Sequence, residues 1–213
     1  MGQIALPLSA GLGLNPARIV LGNANQTAVD GLLAPQTWPF RTAILSGPPR
    51  SGKSLLADWF AKNSPPELQV AVIDDADKQD ETALFHRWNR AQEQGETLLL
   101  TVSPASDAAD TAWPIALPDL ASRMAAALHV QIAAPDDTML AALIAVHAEA
   151  RGLNFADDGL RYLASRCERS HLGAESLVAL IDRLSLERKA PPGPAIWREA
   201  LEELNGPDAP RLL

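Results

Sequence analysis

Positive charge is scarce in this sequence of 213 residues. It has 18 lysines and arginines against 26 aspartates and glutamates, which gives a formal net charge of −8 at pH 7. A domain that grips DNA by itself is usually basic, because binding releases counterions from the phosphates. We therefore expect no direct sequence-specific DNA binding, although the protein could act on DNA through a protein partner.

Cysteine is almost absent, since Cys167 is the only one. A single thiol cannot form an internal disulfide, which is typical of proteins from a reducing compartment. Its spacing from Leu160, Leu163 and Ala164 predicts a core residue on a helix rather than a nucleophile. The four histidines are scattered along the chain, so the sequence gives little support to a metal site built from histidine.

Features of an export signal or a membrane span are also missing. The first fourteen residues are largely apolar, but no lysine or arginine precedes them and Pro7 interrupts the run. No segment is long enough to span a bilayer. The sequence therefore predicts a cytoplasmic protein without a membrane partner.

The pattern that is present is an alternation of strands and helices. Short apolar runs that end in polar or glycine-rich turns predict four strands, at 41–46, 70–73, 97–102 and 130–132. Helical stretches separate these strands: one at 53–63, one capped by Asp80 whose apolar positions include Phe85 and Trp88, and one at 120–128. This order predicts a parallel α/β sheet.

Beyond Pro135 the pattern becomes helical only. Helices are predicted at 156–168, 174–189 and 195–204, after a first one capped by Asp136. We predict that these helices form a separate small domain, with the boundary near Ala134.

A phosphate-binding motif lies between the first strand and the helix that follows it. The segment GPPRSGKS, residues 47–54, matches G-x-x-x-x-G-K-[ST] at every position. Main-chain N–H groups and the helix N-terminus form an anion site there, while Lys53 contacts the β- and γ-phosphates and Ser54 offers a hydroxyl to Mg²⁺. We predict binding of ATP or ADP with Mg²⁺ through Gly47, Pro48, Pro49, Arg50, Ser51, Gly52, Lys53, Ser54 and Leu55.

Polar residues follow the second and third buried strands. The second ends in Asp74-Asp75, which has the Walker B form, and we assign Asp74 to the metal and Asp75 to the attacking water. The third ends in Thr101-Val102-Ser103. A hydroxyl at this place could reach the γ-phosphate, so Ser103 or Thr101 could act as a sensor, or could merely cap the backbone.

Three further segments resemble the DnaA-like AAA+ family, including its Hda-type regulators. LPDLASR (117–123) resembles the arginine-finger segment, RIVLGNANQTAV (18–29) resembles the segment before the core, and QIALPL (3–8) resembles the Hda leader. The order of the motifs covers nearly the whole chain. The resemblance implies a leader at 1–14, an AAA+ P-loop nucleotide-binding core at 15–134 and an all-helical lid domain at 135–213.

The resemblance also implies partners and roles. Hda-type regulators dock on the DNA polymerase sliding clamp and stimulate ATP hydrolysis by DnaA, with an arginine, here Arg123, reaching the neighbour's nucleotide. The implied clamp contacts are Gln3, Ile4, Leu6 and Leu8. Taken without the resemblance, the residues also allow an N-terminal strand or tail for the leader and a local ion pair for Arg123.

Two features depart from the family pattern. Between Ser54 and Val70 there is room for only one helix and a loop, whereas the family carries another strand and more helices, so a reduced sheet of four strands is predicted. The lid arginine of the family falls on Arg169 or, in another alignment, on Glu175, and we favour Arg169. The protein's own ATPase activity is therefore expected to be weak or dependent on a partner.

The sequence is also compatible with two other functions. A free-standing P-loop ATPase or small-molecule kinase would usually have a lid rich in arginines, but here the lid helices are largely apolar. A degenerate module that keeps ADP as a structural ligand is supported in part by the short segment after Ser54.

Overall fold

The computed structural model describes residues 6–7, 18–103 and 113–206, which belong to two compact units. We call residues 24–133 the sheet unit. The helical unit contains residues 134–206 together with residues 6–7 and 18–23. Residues 18–23 thus group with the helical unit, whereas the sequence analysis assigned them to the nucleotide-binding core.

Four parallel strands form the centre of the sheet unit. After a short antiparallel pair, β1 (Leu6–Pro7) and β2 (Arg18–Ile19), in the helical unit, these strands are β3 (Thr42–Ser46), β4 (Val70–Ile73), β5 (Thr97–Val102) and β6 (Leu128–Gln131). Their spatial order is β4-β5-β3-β6. The reduced four-stranded parallel sheet that the sequence predicted is confirmed in the described residues.

Helices cover both faces of this sheet. They are α1 (Gln26–Leu32), α2 (Lys53–Asn63), α3 (Glu81–Gln94) and α4 (Pro118–Ala125). Leu98, Leu100 and Val102 alternate along β5 and pack in one apolar cluster with α3 and α4. Helix α2 packs against β4 and β5, which places the start of α2 at the sheet edge where these strands end.

The end of α4 differs from the sequence prediction of a helix at 120–128 and a strand at 130–132. The N–H groups of Ala126 and Ala127 bond to the carbonyls of Arg123 and Met124, so the helix closes in a tight turn. Leu128 then already pairs with Ala43 of β3. The apolar periodicity could not locate this stop, because alanine is compatible with both structures.

The helical unit consists of α5 (Asp137–Ala150), α6 (Asp157–Ala164), α7 (His171–Arg188) and α8 (Pro194–Asn205). Asp136 and Ser170 cap α5 and α7 through side-chain oxygens that accept from the N–H groups of Met139 and Gly173. All four helices contribute to one apolar core. No helix among the described residues is long and apolar enough to cross a membrane.

Candidate nucleotide-binding site

The carboxyl ends of β3, β4 and β5 meet at one edge of the sheet, because the strands are parallel and adjacent. The loop 47–52 leaves β3 at this edge and leads into α2. Asp74 and Asp75 follow β4, and Thr101 lies in the last two residues of β5. Groups from three separate parts of the sequence therefore converge where ligands bind in open α/β sheets.

Two glycines give the loop its shape. A Cβ atom on Gly47 would lie 2.9 Å from Ser51 Oγ and 3.0 Å from Ile132 Cβ, so a larger residue would collide. Gly52 has φ +88° directly before α2, a conformation that other residues rarely adopt. The loop can therefore fold tightly and aim its N–H groups at an anion.

Lys53 is a buried cation at the start of α2, with 6% of its surface exposed. Its Nζ donates to the carbonyl oxygens of Gly47 and Pro48, each at 2.9 Å. Burial lowers the pKa of Lys53, and the negative charges of Asp75, Asp77 and Asp74 oppose that shift. The ammonium group is thus held directly against the loop, where it can meet a phosphate.

Ser54 and Asp74 are in direct contact. Ser54 Oγ donates to the Asp74 carboxylate, at 3.0 Å from Oδ1 and 2.8 Å from Oδ2. The Thr101 hydroxyl donates to Asp74 Oδ1 at 2.5 Å and accepts from the N–H of Asp75 at 3.0 Å. Asp74 is therefore oriented from two sides, by α2 and by β5.

The Ser54 hydroxyl and the Asp74 carboxylate together are suitable ligands for Mg²⁺. Mg²⁺ is usually held by one or two protein oxygens and takes its remaining ligands from water and from substrate phosphates. Within the described part of the chain, no group of three or more His, Cys, Asp or Glu residues could hold a metal alone. Ser54 and Asp74 would thus hold a metal together with a polyphosphate.

Asp75 has a partner that the sequence analysis missed. Its backbone lies in the left-handed region, with φ 49° and ψ 49°, and its Oδ2 accepts from Lys78 Nζ at 2.7 Å. The hydrogen bond to Asp75 raises the pKa of Lys78. The pair lies at the surface, since the side chains of Lys78 and Asp75 are 64% and 46% exposed.

The remaining predicted nucleotide contacts of the sheet unit have different exposures. Pro49 and Arg50 are exposed, Pro48 and Leu55 are half-buried, and Ser51 is buried. Of the two hydroxyl residues at the end of β5, Thr101 contacts Asp74, whereas Ser103 lies just past the strand. The alternation of side chains along β5 could not separate the two hydroxyl residues, because positions 101 and 103 lie on the same face of an extended chain.

Arg123 lies on α4 and packs against aromatic residues of α3. Its guanidinium carbon lies 5.0 Å from the ring centroid of Phe85 and 4.4 Å from that of Trp88. Its Nε is buried and has no hydrogen-bond partner among the described residues. The sequence predicted an apolar face with Phe85 and Trp88, but only the tertiary structure brings Arg123 onto it.

Three other residues singled out in the sequence, Arg169, Cys167 and Leu6, belong to the helical unit. Arg169 forms an exposed ion pair with Asp137 at 2.8 Å. Cys167 packs against the helical core, and burial raises the pKa of its thiol to about 11, which agrees with the expected structural role. Leu6 belongs to β1, while Gln3, Ile4 and Leu8 lie outside the described residues.

No protein-family profile and no curated protein sequence matches this chain. Similar solved structures do exist. Domain III of the replication initiation protein DnaA from Thermotoga maritima superposes with a TM-score of 0.70 at 15% identity, over 89% of this chain and 95% of that one. A DnaA replication initiator bound to AMPPCP and single-stranded DNA gives a TM-score of 0.58 at 16% identity, over 80% of this chain and 66% of that one.

A third similar structure is the RuvB Holliday junction branch migration motor of Thermotoga maritima. It gives a TM-score of 0.60 at 18% identity, over 87% of this chain and 70% of that one. At these identities the likeness concerns the fold. The chain has the AAA+ P-loop NTPase fold, as the sequence analysis predicted.

Proposed function

We propose that this chain is a nucleotide-binding regulator of replication initiation of the Hda type. In this proposal it binds ADP or ATP with Mg²⁺, docks on the DNA sliding clamp and stimulates ATP hydrolysis by DnaA. The AAA+ fold and the DnaA structures among its neighbours support the general class. The clamp and DnaA as partners rest on the resemblance of residues 3–8 and 117–123.

One observation carries the nucleotide part of the proposal. Lys53 is buried against the loop carbonyls, and Ser54 touches Asp74 across two elements. A buried ammonium beside main-chain N–H groups and a hydroxyl–carboxylate pair supply the groups that a Mg²⁺–polyphosphate needs. The bound metal would neutralise phosphate charge, and Lys53 would hold the phosphates in register with the loop.

The Asp75–Lys78 contact supports a slow reaction of the protein's own nucleotide. The carboxylate that would polarise the attacking water already accepts a hydrogen bond from an ammonium at 2.7 Å. One of the two carboxylate oxygens that could orient a water is thereby engaged by Lys78. The chain would thus act as a nucleotide-dependent switch rather than as a fast ATPase.

Arg123 is proposed as the residue that acts on the partner. An arginine supplied in trans stabilises the charge that develops during phosphoryl transfer, and can be worth roughly 10³- to 10⁵-fold in rate. Arg123 lies near the C-terminal end of α4 and forms no ion pair with any described residue. No carboxylate of the described residues therefore neutralises its charge.

Stimulated ATP hydrolysis is the deciding experiment. The chain is mixed with DNA-loaded clamp and ATP-bound DnaA, and ADP formation is followed with the wild type, with Arg123→Ala and with a variant that lacks residues 3–8. Stimulation by the wild type that both variants lose is expected. Matched controls are Arg183→Ala, which changes an arginine of α7, and DnaA without clamp.

A second candidate, a degenerate ADP-binding module, is favoured by the same Asp75–Lys78 contact. It predicts tight ADP binding without any effect on DnaA. Phosphate transfer to a small molecule in the absence of protein partners would instead identify a kinase. Either result would contradict the regulatory proposal.

A further inference from the structure

The guanidinium of Arg123 is held by rings rather than by a carboxylate. It lies over Trp88, which is buried, and over Phe85, which is half-buried on α3. Such cation–π contacts are moderately stabilising, and less so when the site is partly exposed to water. A buried Nε that lacks a hydrogen-bond partner among the described residues adds an unsatisfied donor to this position.

The start of α4 is fixed to the same helix. Leu117, the residue before α4, has no side-chain acceptor for the first N–H groups. The Glu81 carboxylate of α3 instead holds the two residues that precede α4, since it accepts from the N–H groups of Ala116 at 2.9 Å and Leu117 at 2.6 Å. A carboxylate at a helix N-terminus is favourable.

Helix α3 therefore has contacts near both ends of α4, with the two residues before it and with Arg123 in its last turn. Glu81 lies in the first turn of α3, and Phe85 and Trp88 follow one and two turns later on the face toward α4. Because the residues before α4 are held by Glu81 and Arg123 is only half-buried, release of its guanidinium would require rotation of the side chain rather than movement of the helix.

We propose that Phe85 and Trp88 are positioning residues that hold Arg123 in a resting position, from which the guanidinium must leave to engage an anionic group of a partner. This inference rests on the proposed function of Arg123 and adds its regulation. If only a fraction of the molecules has Arg123 released, the apparent association constant for the partner is the intrinsic constant multiplied by that fraction. Weakening the stack should then lower the concentration needed for stimulation.

Phe85→Leu is the variant of choice, because Phe85 is only half-buried and leucine keeps an apolar side chain there. Trp88 is less suitable, since its Nε1 also donates to Thr42 Oγ1 at 3.1 Å in the buried core. Phe85→Tyr retains a ring face and serves as the conservative control. We expect Phe85→Leu to reduce the half-maximal concentration in the DnaA assay about 2- to 5-fold, with an unchanged maximal rate, and Phe85→Tyr to match the wild type.

A double-mutant cycle tests the stack without DnaA. Urea unfolding is measured for the wild type, Phe85→Leu, Arg123→Ala and the double variant. We expect Phe85→Leu to raise the unfolding equilibrium constant about 2- to 5-fold more in the presence of Arg123 than in its absence. Additive effects would mean that the rings do not hold Arg123 and would overturn the inference.

The two assays separate failure of the inference from failure of the proposed function. If the wild type stimulates DnaA but Phe85→Leu has an unchanged or higher half-maximal concentration, the resting position is contradicted. The proposed function then still stands. If the cycle shows coupling between Phe85 and Arg123 but the wild type does not stimulate DnaA, the proposed function is contradicted. The regulatory role of the stack is then contradicted with it.

Discussion

The sheet unit and the helical unit use charged side chains in opposite ways. In the sheet unit, Lys53 is buried and faces carbonyl oxygens, and Asp74 is fixed by two hydroxyl groups at the end of the strands. In the helical unit the ion pairs of Arg169 and Arg183 lie at the surface above an apolar core. The sheet unit thus gathers buried and oriented charge at the end of its strands, in addition to exposed pairs such as Lys62–Asp58, whereas the named pairs of the helical unit are all exposed.

The difference has a physical origin. A parallel sheet brings the ends of neighbouring strands together at one edge, so polar residues distant in sequence become adjacent there. Packed helices instead bury their apolar faces and turn their charges to water, where ion pairs contribute little. We therefore expect mutations of the polar residues at the strand ends to affect binding, and mutations of exposed charges in the helical unit to have little effect on stability.

The largest effect is expected from the core of the helical unit. Leu177→Ala removes a fully buried side chain of α7 and should lower the free energy of unfolding by about 3 kcal/mol, through lost burial and the cavity that remains. Leu186→Ala, on the same helix but 72% exposed, is the matched control and should have little effect. Urea denaturation followed by circular dichroism measures both; equal losses would contradict the assigned core.

Lys53→Ala should weaken ADP and ATP binding about 10- to 100-fold, because one charged hydrogen bond to phosphate is worth about 1.5–3 kcal/mol. Lys62→Ala changes an exposed lysine of the same helix and should leave affinity unchanged. Isothermal titration calorimetry with Mg²⁺ present gives both affinities. If Lys53→Ala bound nucleotide like the wild type, the assignment of the P-loop would be wrong.

Thr101→Val should lower the free energy of unfolding by about 1–2 kcal/mol, because it leaves the N–H of Asp75 without its acceptor. The dependence of nucleotide affinity on Mg²⁺ should also weaken, since Asp74 loses one of the groups that orient it. Thr101→Ser keeps the hydroxyl and should restore both properties. A larger effect from Ser103→Ala than from Thr101→Val would show that Ser103 is the relevant hydroxyl.

Arg169→Ala should have the smallest effect on stability, below about 0.5 kcal/mol, because its ion pair with Asp137 is exposed. Arg183→Ala gives the comparison with another exposed pair of the helical unit. If Arg169 is the lid arginine, ATP affinity falls in the first variant and stays constant in the second. Thermal unfolding together with nucleotide titration measures both quantities, and equal ATP affinities would exclude Arg169 from the site.

Local patterns predicted most of the fold. The predicted bounds of α2, β4 and β5 agree with the structure, because each begins and ends at a clear change of residue type. The prediction was poorer near 125–132, where the alanines after α4 gave no stop signal. Asp80 and Asp136 were predicted as helix caps, and both accept the expected backbone hydrogen bonds.

The candidate site was predictable as a set of residues but not as a set of contacts. The motif identified Lys53 and Ser54, and the strand end identified Asp74. The choice between Thr101 and Ser103 depended on which side chain reaches Asp74, and this follows from the strand register. The pairing of Asp75 with Lys78 had no signal in the motif.

The sequence by itself determined the order of strands and helices, the phosphate loop and the acidic strand end, because these depend on local residue type and periodicity. Only the tertiary structure decided that Thr101 fixes Asp74 and that Arg123 rests on Phe85 and Trp88. Those contacts join residues that are far apart in the chain. They exist because sheet order and helix packing bring the side chains together, which no local pattern records.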